Sequence, residues 1–252
     1  FNSHIINPPR NISSGVVNSN NLESSSFSQW SLDRVWSRWG FGPEVNKPYE
    51  DVKFPIEYID QFASSFPVYT NSTGGISANN NVKGGPVNKN RNRKKSIERS
   101  GRDQNIRKGG GKFGSEKEVN AIINLLKKSG PSTLMVHSAS GASGFEVVKQ
   151  RPDLVTSLVV VEPVGCPTSL QEDSNLKEVP FFAVYGDYIN ERGQMGRMES
   201  CEKTISEVKK IGGKSKMLNL VDQGIKGNTH IMMQDKNNKK IAKKIISWIN
   251  KN

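Results

Sequence analysis

The stretch that most constrains this chain is residues 132–144, Ser132-Thr133-Leu134-Met135-Val136-His137-Ser138-Ala139-Ser140-Gly141-Ala142-Ser143-Gly144. Leu134-Met135-Val136 is an apolar run that reads as a buried strand, and Phe145 opens a run that reads as a helix. A turn of small residues carrying His137-Ser138 joins the two. Such a tight strand-to-helix turn forces its apex residue into a strained backbone, so the Ser138 hydroxyl projects from the carboxyl end of the strand. Close packing of the strand on the helix asks for small residues two before and two after the apex. Val136 and Ser140 stand there, and Gly141 with Ala142 keeps the start of the helix slim. The first amides of a helix have no intrahelical acceptor. The Ala139 N–H is therefore placed to donate to a negative oxygen forming beside Ser138.

Strand, His-Ser turn and helix together read as a nucleophile elbow. His137-Ser138-Ala139-Ser140-Gly141 resembles the elbow of the α/β-hydrolase superfamily. It is most similar to a bacterial and fungal esterase group whose elbow reads His-Ser-Gln-Ser-Gly. The resemblance implies an α/β-hydrolase-like fold, a serine nucleophile followed in the chain by an acid and then a histidine, a small-molecule ester substrate, and no cofactor or metal. Serine at the apex, in place of aspartate, argues against dehalogenase or epoxide-hydrolase chemistry, where a carboxylate must be alkylated.

The context can be read without the resemblance. Ser115 with Glu118 forms a capping box, and the helix it opens stops at Gly130-Pro131. Residues 155–161 read as a second buried strand ending in Glu162, and residues 180–185 as a third ending in Gly186-Asp187. A helix over 193–211 and a strand over 215–221 follow. Gly227-Asn228-Thr229-His230 then precedes a last amphipathic helix over 235–250, with Ile241, Ile245, Trp248 and Ile249 inward. Strands alternating with helices predict a parallel sheet with helices on both faces, and a site at the strands' carboxyl ends.

The chain has three histidines. His4 lies near the start, and His137 sits in the elbow, where its ring is expected to turn away from the serine. His230 is left as the general base. Two carboxylates can serve as the acid. Glu162, at the end of a strand, can reach the imidazole edge and hold its tautomer, and is favoured. Asp187, one residue past Gly186, suits a turn better and is the alternative.

Composition bounds the rest. A chain of 252 residues accommodates one α/β-hydrolase-like domain. The formal charge of +12 is concentrated in residues 71–115, an Asn/Gly/Lys/Arg-rich insert with almost no aliphatic side chains. Such a segment cannot bury enough surface to fold alone, and disorder is expected. Lacking interleaved aromatics, it ranks last as a nucleic-acid site. Residues 29–70 are rich in aromatics and resemble a cap over an acyl pocket, although plain core packing accounts for most of those side chains. No run is long and apolar enough for a membrane span. Cys166 and Cys201 can pair or stay free, and Asn11 and Asn71 head chance-level sequons. Asn7-Pro8-Pro9-Arg10 with Ser13-Ser14 is a worn version of the esterases' Asp-x-Pro-x-x-Gly-x-Ser turn. That match starts the chain in the fourth strand of the usual eight, and the loop carrying the second oxyanion amide is not found. The reading is a serine carboxyl-ester hydrolase of weak activity. The alternative is a non-catalytic or truncated hydrolase-like protein.

Overall fold

The computed structural model of this chain describes residues 26–28, 31–65, 69–71 and 114–252. His4, Asn7–Arg10, the Asn11 sequon and the basic insert between positions 72 and 113 lie outside the described residues. Two short strands, β1 (Ser26–Ser28) and β2 (Tyr69–Asn71), pair antiparallel with Ser26 opposite Asn71. The sequence reading has no strand there, because three residues are too few to show an alternating pattern. Between them lie α1 (Leu32–Trp39) and α2 (Ile59–Ser64). The Ser31 side chain caps α1 by accepting from the Arg34 amide at 3.3 Å, and Gly40 ends it in the left-handed region. Trp36, Phe41 and Phe54 are buried together with Ile231, so these aromatics form a small core of their own.

After the Ser115 cap comes α3 (Glu116–Ser129). The expected capping box is half made. The Ser115 hydroxyl accepts from the Glu118 amide at 3.4 Å, but the Glu118 carboxylate takes a bond from the Ser143 hydroxyl at 3.1 Å. α3 is thereby tied to the elbow helix α4 (Gly141–Gln150). The strands β3 (Ser132–His137), β4 (Val155–Val161), β5 (Phe181–Tyr185) and β6 (Ser215–Asn219) lie side by side in chain order, all parallel.

Alternate residues of β4 and β5 serve opposite faces. Leu158, Val160, Phe181 and Ala183 meet α3, α4 and α5 (Met195–Lys210), while Val159, Val161, Phe182 and Val184 meet α6 (Asn238–Ile249). Coverage on both faces explains why β4 is an unbroken apolar run. Ile241 and Ile245 are buried as expected, and Trp248 stacks on Phe182 with centroids 4.6 Å apart.

Two sequence expectations change in detail. Met135 is half exposed, at 50%, within a run read as buried. β3 is the edge strand among the described residues, and the core on the α6 face takes no residue from it. The elbow helix begins at Gly141, one turn before Phe145, because the small residues of the turn adopt helical geometry themselves. The β4–β5 crossover, for which the sequence reading names no helix, carries only a single 3-10 turn, Asn175–Lys177. Pro163, Gly165 and Pro167 interrupt the backbone pattern there. This loop is fastened to α5 by a Cys166–Cys201 disulfide and by a 2.6 Å bond from the Thr204 hydroxyl to the Pro167 carbonyl.

Opposite Val136, the elbow helix carries a glycine. A Cβ at Gly144 would lie 2.9 Å from a Val136 methyl and 3.2 Å from a Leu158 methyl. The helix thus supplies the clearance that a small residue at position 136 would otherwise give. Gly144→Ala is expected to destabilise the fold. Overpacking costs roughly 1–3 kcal/mol, against a helix-propensity gain of about 1 kcal/mol. Urea unfolding of Gly144→Ala, Val136→Ala and the double variant checks this. The Gly144→Ala penalty should shrink when Val136 is already alanine, and an unchanged penalty would contradict the packing account.

Candidate active site

The carboxyl ends of β3, β4 and β5 and the loop after β6 converge on one point. Ser138 follows β3 with φ 53°, and Glu162 follows β4 with φ 40°. Positive φ is uncommon for residues with a side chain and clusters at functional sites. Between them the backbone is pinned by a 2.8 Å bond from the Val164 amide to the Ser138 carbonyl.

His230 bridges the two side chains. Its Nε2 lies 2.9 Å from Ser138 Oγ and its Nδ1 lies 2.6 Å from Glu162 Oε2. A carboxylate only accepts, so Nδ1 carries the proton and Nε2 is free to accept from the serine hydroxyl. The favoured acid is therefore the one facing the imidazole. Asp187 faces elsewhere: its two oxygens accept from the Tyr188 amide at 2.7 Å and the Gly227 amide at 2.8 Å. It organises the base of the His230 loop without touching the ring.

Sequence reasoning misses Arg192. Its Nη1 and Nη2 donate to Glu162 Oε2 and Oε1 at 2.8 and 2.9 Å, and the Gly186 amide donates to Oε1 at 3.0 Å. Both partners are buried, with side-chain exposures of 0% for Arg192 and 4% for Glu162. Burial alone would raise the Glu162 carboxyl. The Arg192 charge and the His230 contact outweigh burial and hold it well below the usual range, at about 2. No local pattern marks Arg192, which is thirty positions from its partner along the chain.

His137 returns as a neighbour of His230. Its Nε2 donates to the His230 carbonyl at 2.8 Å, and the two rings are 4.6 Å apart. Burial, then the neighbouring His230, lower its pKa from 6.5 to about 4. The rest of the loop is organised by Asp235, which is fully buried. It accepts from Asn228 at 2.8 Å, from the Thr229 amide at 2.9 Å and from the Thr229 hydroxyl at 2.8 Å. From outside, the aromatic segment grips the same loop: the His230 amide donates to the Trp39 carbonyl at 2.8 Å and the Lys53 amide to the Gly227 carbonyl at 2.7 Å. Gly227, at φ 79°, has no room for a side chain, since a Cβ would sit 1.9 Å from the Asp51 carbonyl. The Ala139 N–H makes no hydrogen bond outside its own helical turn among the described residues.

A folded-state pKa below the unfolded one makes His137 bind its proton more readily when unfolded. Its contribution is therefore fully present above pH 6.5 and is lost as pH falls from 6.5 towards 4. The depressed Glu162 acts lower, losing its contribution as pH falls from 4.5 towards 2. Thermal unfolding followed between pH 7.5 and 4.5 should show Tm falling with acid, as those two windows barely overlap. His137→Gln keeps a donor for the His230 carbonyl but does not titrate, so its Tm profile should be flatter in that range. Parallel profiles would contradict the account.

No family model matches this chain. It is similar to a probable secreted lipase, phiG, from a fungal species (strain ATCC 74256), at 25% identity over 54% of this chain and 50% of the lipase. Among solved structures it is similar to a novel bacterial esterase, with TM-score 0.67 and 24% identity over 90% of this chain and 59% of the esterase. The chain thus spans about half the length of the curated relative and under two thirds of the structural one. At this identity the likeness is one of fold: the parallel sheet and its helices form an α/β-hydrolase-like fold.

Proposed function

We propose that this chain is a serine carboxyl-ester hydrolase acting through Ser138, His230 and Glu162. What carries the reading is the unbroken line of hydrogen bonds from Ser138 Oγ through the His230 ring to a buried, ionised Glu162, at 2.9 and 2.6 Å. An esterase neighbour of the same fold and a lipase relative support the choice of ester substrates.

In this mechanism His230 Nε2 takes the hydroxyl proton as Ser138 Oγ attacks the ester carbonyl carbon. The carbonyl oxygen becomes an oxyanion and accepts from the Ala139 amide. Collapse of the tetrahedral intermediate expels the alcohol, which leaves with the proton from His230. Water, deprotonated by His230, then attacks the acyl-serine and releases the acid. Glu162 stays ionised throughout. It holds the Nδ1–H tautomer and stabilises the imidazolium that forms in each step.

Hydrolysis of a short-chain activated ester tests the proposal. Ser138→Ala should lower kcat by at least about a thousandfold, and Glu162→Gln, which favours the wrong tautomer, by a comparable factor. Turnover unaffected by Ser138→Ala would discard the mechanism, and no turnover by the parent chain would leave a non-catalytic hydrolase-like protein.

A further inference from the structure

We propose that Arg192 is a positioning residue for this reaction: its two-point ion pair locks the Glu162 carboxylate in the orientation that holds His230 and keeps part of the carboxylate's charge away from the imidazole. The proposal rests on the reading of Ser138, His230 and Glu162 as a hydrolase triad.

The contacts of Glu162 leave it no second orientation. Oε2 accepts from His230 Nδ1 and Arg192 Nη1, and Oε1 accepts from Arg192 Nη2 and the Gly186 amide. Rotation of the carboxylate would break several of these bonds at once. Arg192 is itself held from three sides. Its Nη2 also donates to the Asp187 carbonyl at 3.1 Å, its amide donates to the Tyr188 carbonyl at 2.9 Å, and its Cδ packs beneath Gly40 at the end of α1. The Nε of Arg192 is buried with no hydrogen-bond partner. A guanidinium placed only for its own satisfaction would not leave a donor orphaned. This one is turned end-on, so that the fork meets Glu162.

The second consequence is electrostatic. A carboxylate beside an imidazole favours the imidazolium, and a guanidinium on the same carboxylate opposes that. Arg192 therefore offsets part of the pull that Glu162 exerts on the imidazole. The other ionisable groups around the ring act differently. His137 reaches the His230 backbone and is held neutral by burial, Asp235 bonds Asn228 and Thr229, and Asp187 bonds the Tyr188 and Gly227 amides. Tyr185 donates to the Arg197 carbonyl, and Tyr188 donates to Asp51. Among the described residues, Arg192 is the one Lys or Arg in hydrogen-bond contact with Glu162.

The test compares the full chain with Arg192→Met and Arg192→Lys. Two readouts are used: ester hydrolysis against pH, and proton NMR titration of the histidines without substrate. Arg192→Met should lower kcat roughly ten- to a hundredfold with KM nearly unchanged, since a misplaced catalytic group costs about that much. The acid limb of its kcat/KM profile and the His230 titration should both move up by about one pH unit, the scale of a nearby charge. Arg192→Lys keeps the charge but not the fork, so kcat should fall while the limb stays in place. A merely structural ion pair would lower stability and move neither pH readout. A folded Arg192→Met protein with unchanged limb and unchanged His230 titration overturns the proposal. Should that variant fail to fold, Arg192→Lys decides: reduced kcat with a fixed limb supports the assignment, and wild-type kcat overturns it. Absence of any turnover in the parent chain would sink the hydrolase reading instead, and the NMR titration would still decide the role of Arg192.

Discussion

A carboxylate buried to 4% exposure has to be met by donors from the protein, because the interior cannot solvate its charge. Glu162 is that carboxylate, and its donors come from separate parts of the chain. The acid ends β4, the Gly186 amide follows β5, Arg192 precedes α5, and His230 lies in the loop after β6. Three strand-end segments are thereby drawn to one point by a single charge. The ion pair is not a source of great stability by itself, since desolvation offsets much of its attraction. Breaking it is another matter, because one partner would be left charged and unpaired. The arrangement fixes geometry more than it adds stability, and geometry is what a hydrogen-bonded serine and histidine require.

The His230 loop has no regular secondary structure to hold it, and it is held from both sides. From within, Asp235 ties Asn228 to Thr229. From outside, backbone bonds run to Trp39 and Lys53, and the Lys236 amide donates to the Lys53 carbonyl at 2.9 Å. The Tyr188 hydroxyl donates to Asp51 at 2.6 Å while its ring stacks on Tyr49 with centroids 4.0 Å apart. Residues 39–53 thus act as a strap across the loop, linked through Tyr188 to the segment that carries Arg192. The aromatics of this stretch serve that packing around Ile231.

Ser138, Glu162 and His230 were legible in the sequence for reasons that differ. The elbow carries its pattern within a dozen residues, since strand, turn and helix must follow one another directly. His230 emerged by elimination in a chain with three histidines. Glu162 is favoured because a carboxylate at that strand end can reach the imidazole edge and hold its tautomer. Arg192 had no such mark. It is one of 36 lysines and arginines, and only the folded chain decides which of them is buried. Nothing local marks the contact of His137 with the His230 carbonyl, and Asp235 reads as the start of the last helix, which begins at Asn238. Val136 is bulkier than the turn asks for, but its answer, Gly144, stands in the first turn of α4 and is apparent only in three dimensions. The parallel sheet was readable from alternation, whereas the non-helical β4–β5 crossover depends on prolines and on a disulfide partner 35 residues away.

The central claim is that Ser138 is activated as a nucleophile by His230. Covalent trapping tests it without reference to the natural substrate or to the rate of turnover. The whole chain would be incubated with a fluorophosphonate, which phosphonylates an activated serine with loss of fluoride, and the adduct mapped by peptide mass spectrometry. The account predicts one adduct, on Ser138, lost in Ser138→Ala and strongly slowed in His230→Ala. An unmodified Ser138, or labelling that persists at the same rate without His230, would contradict it.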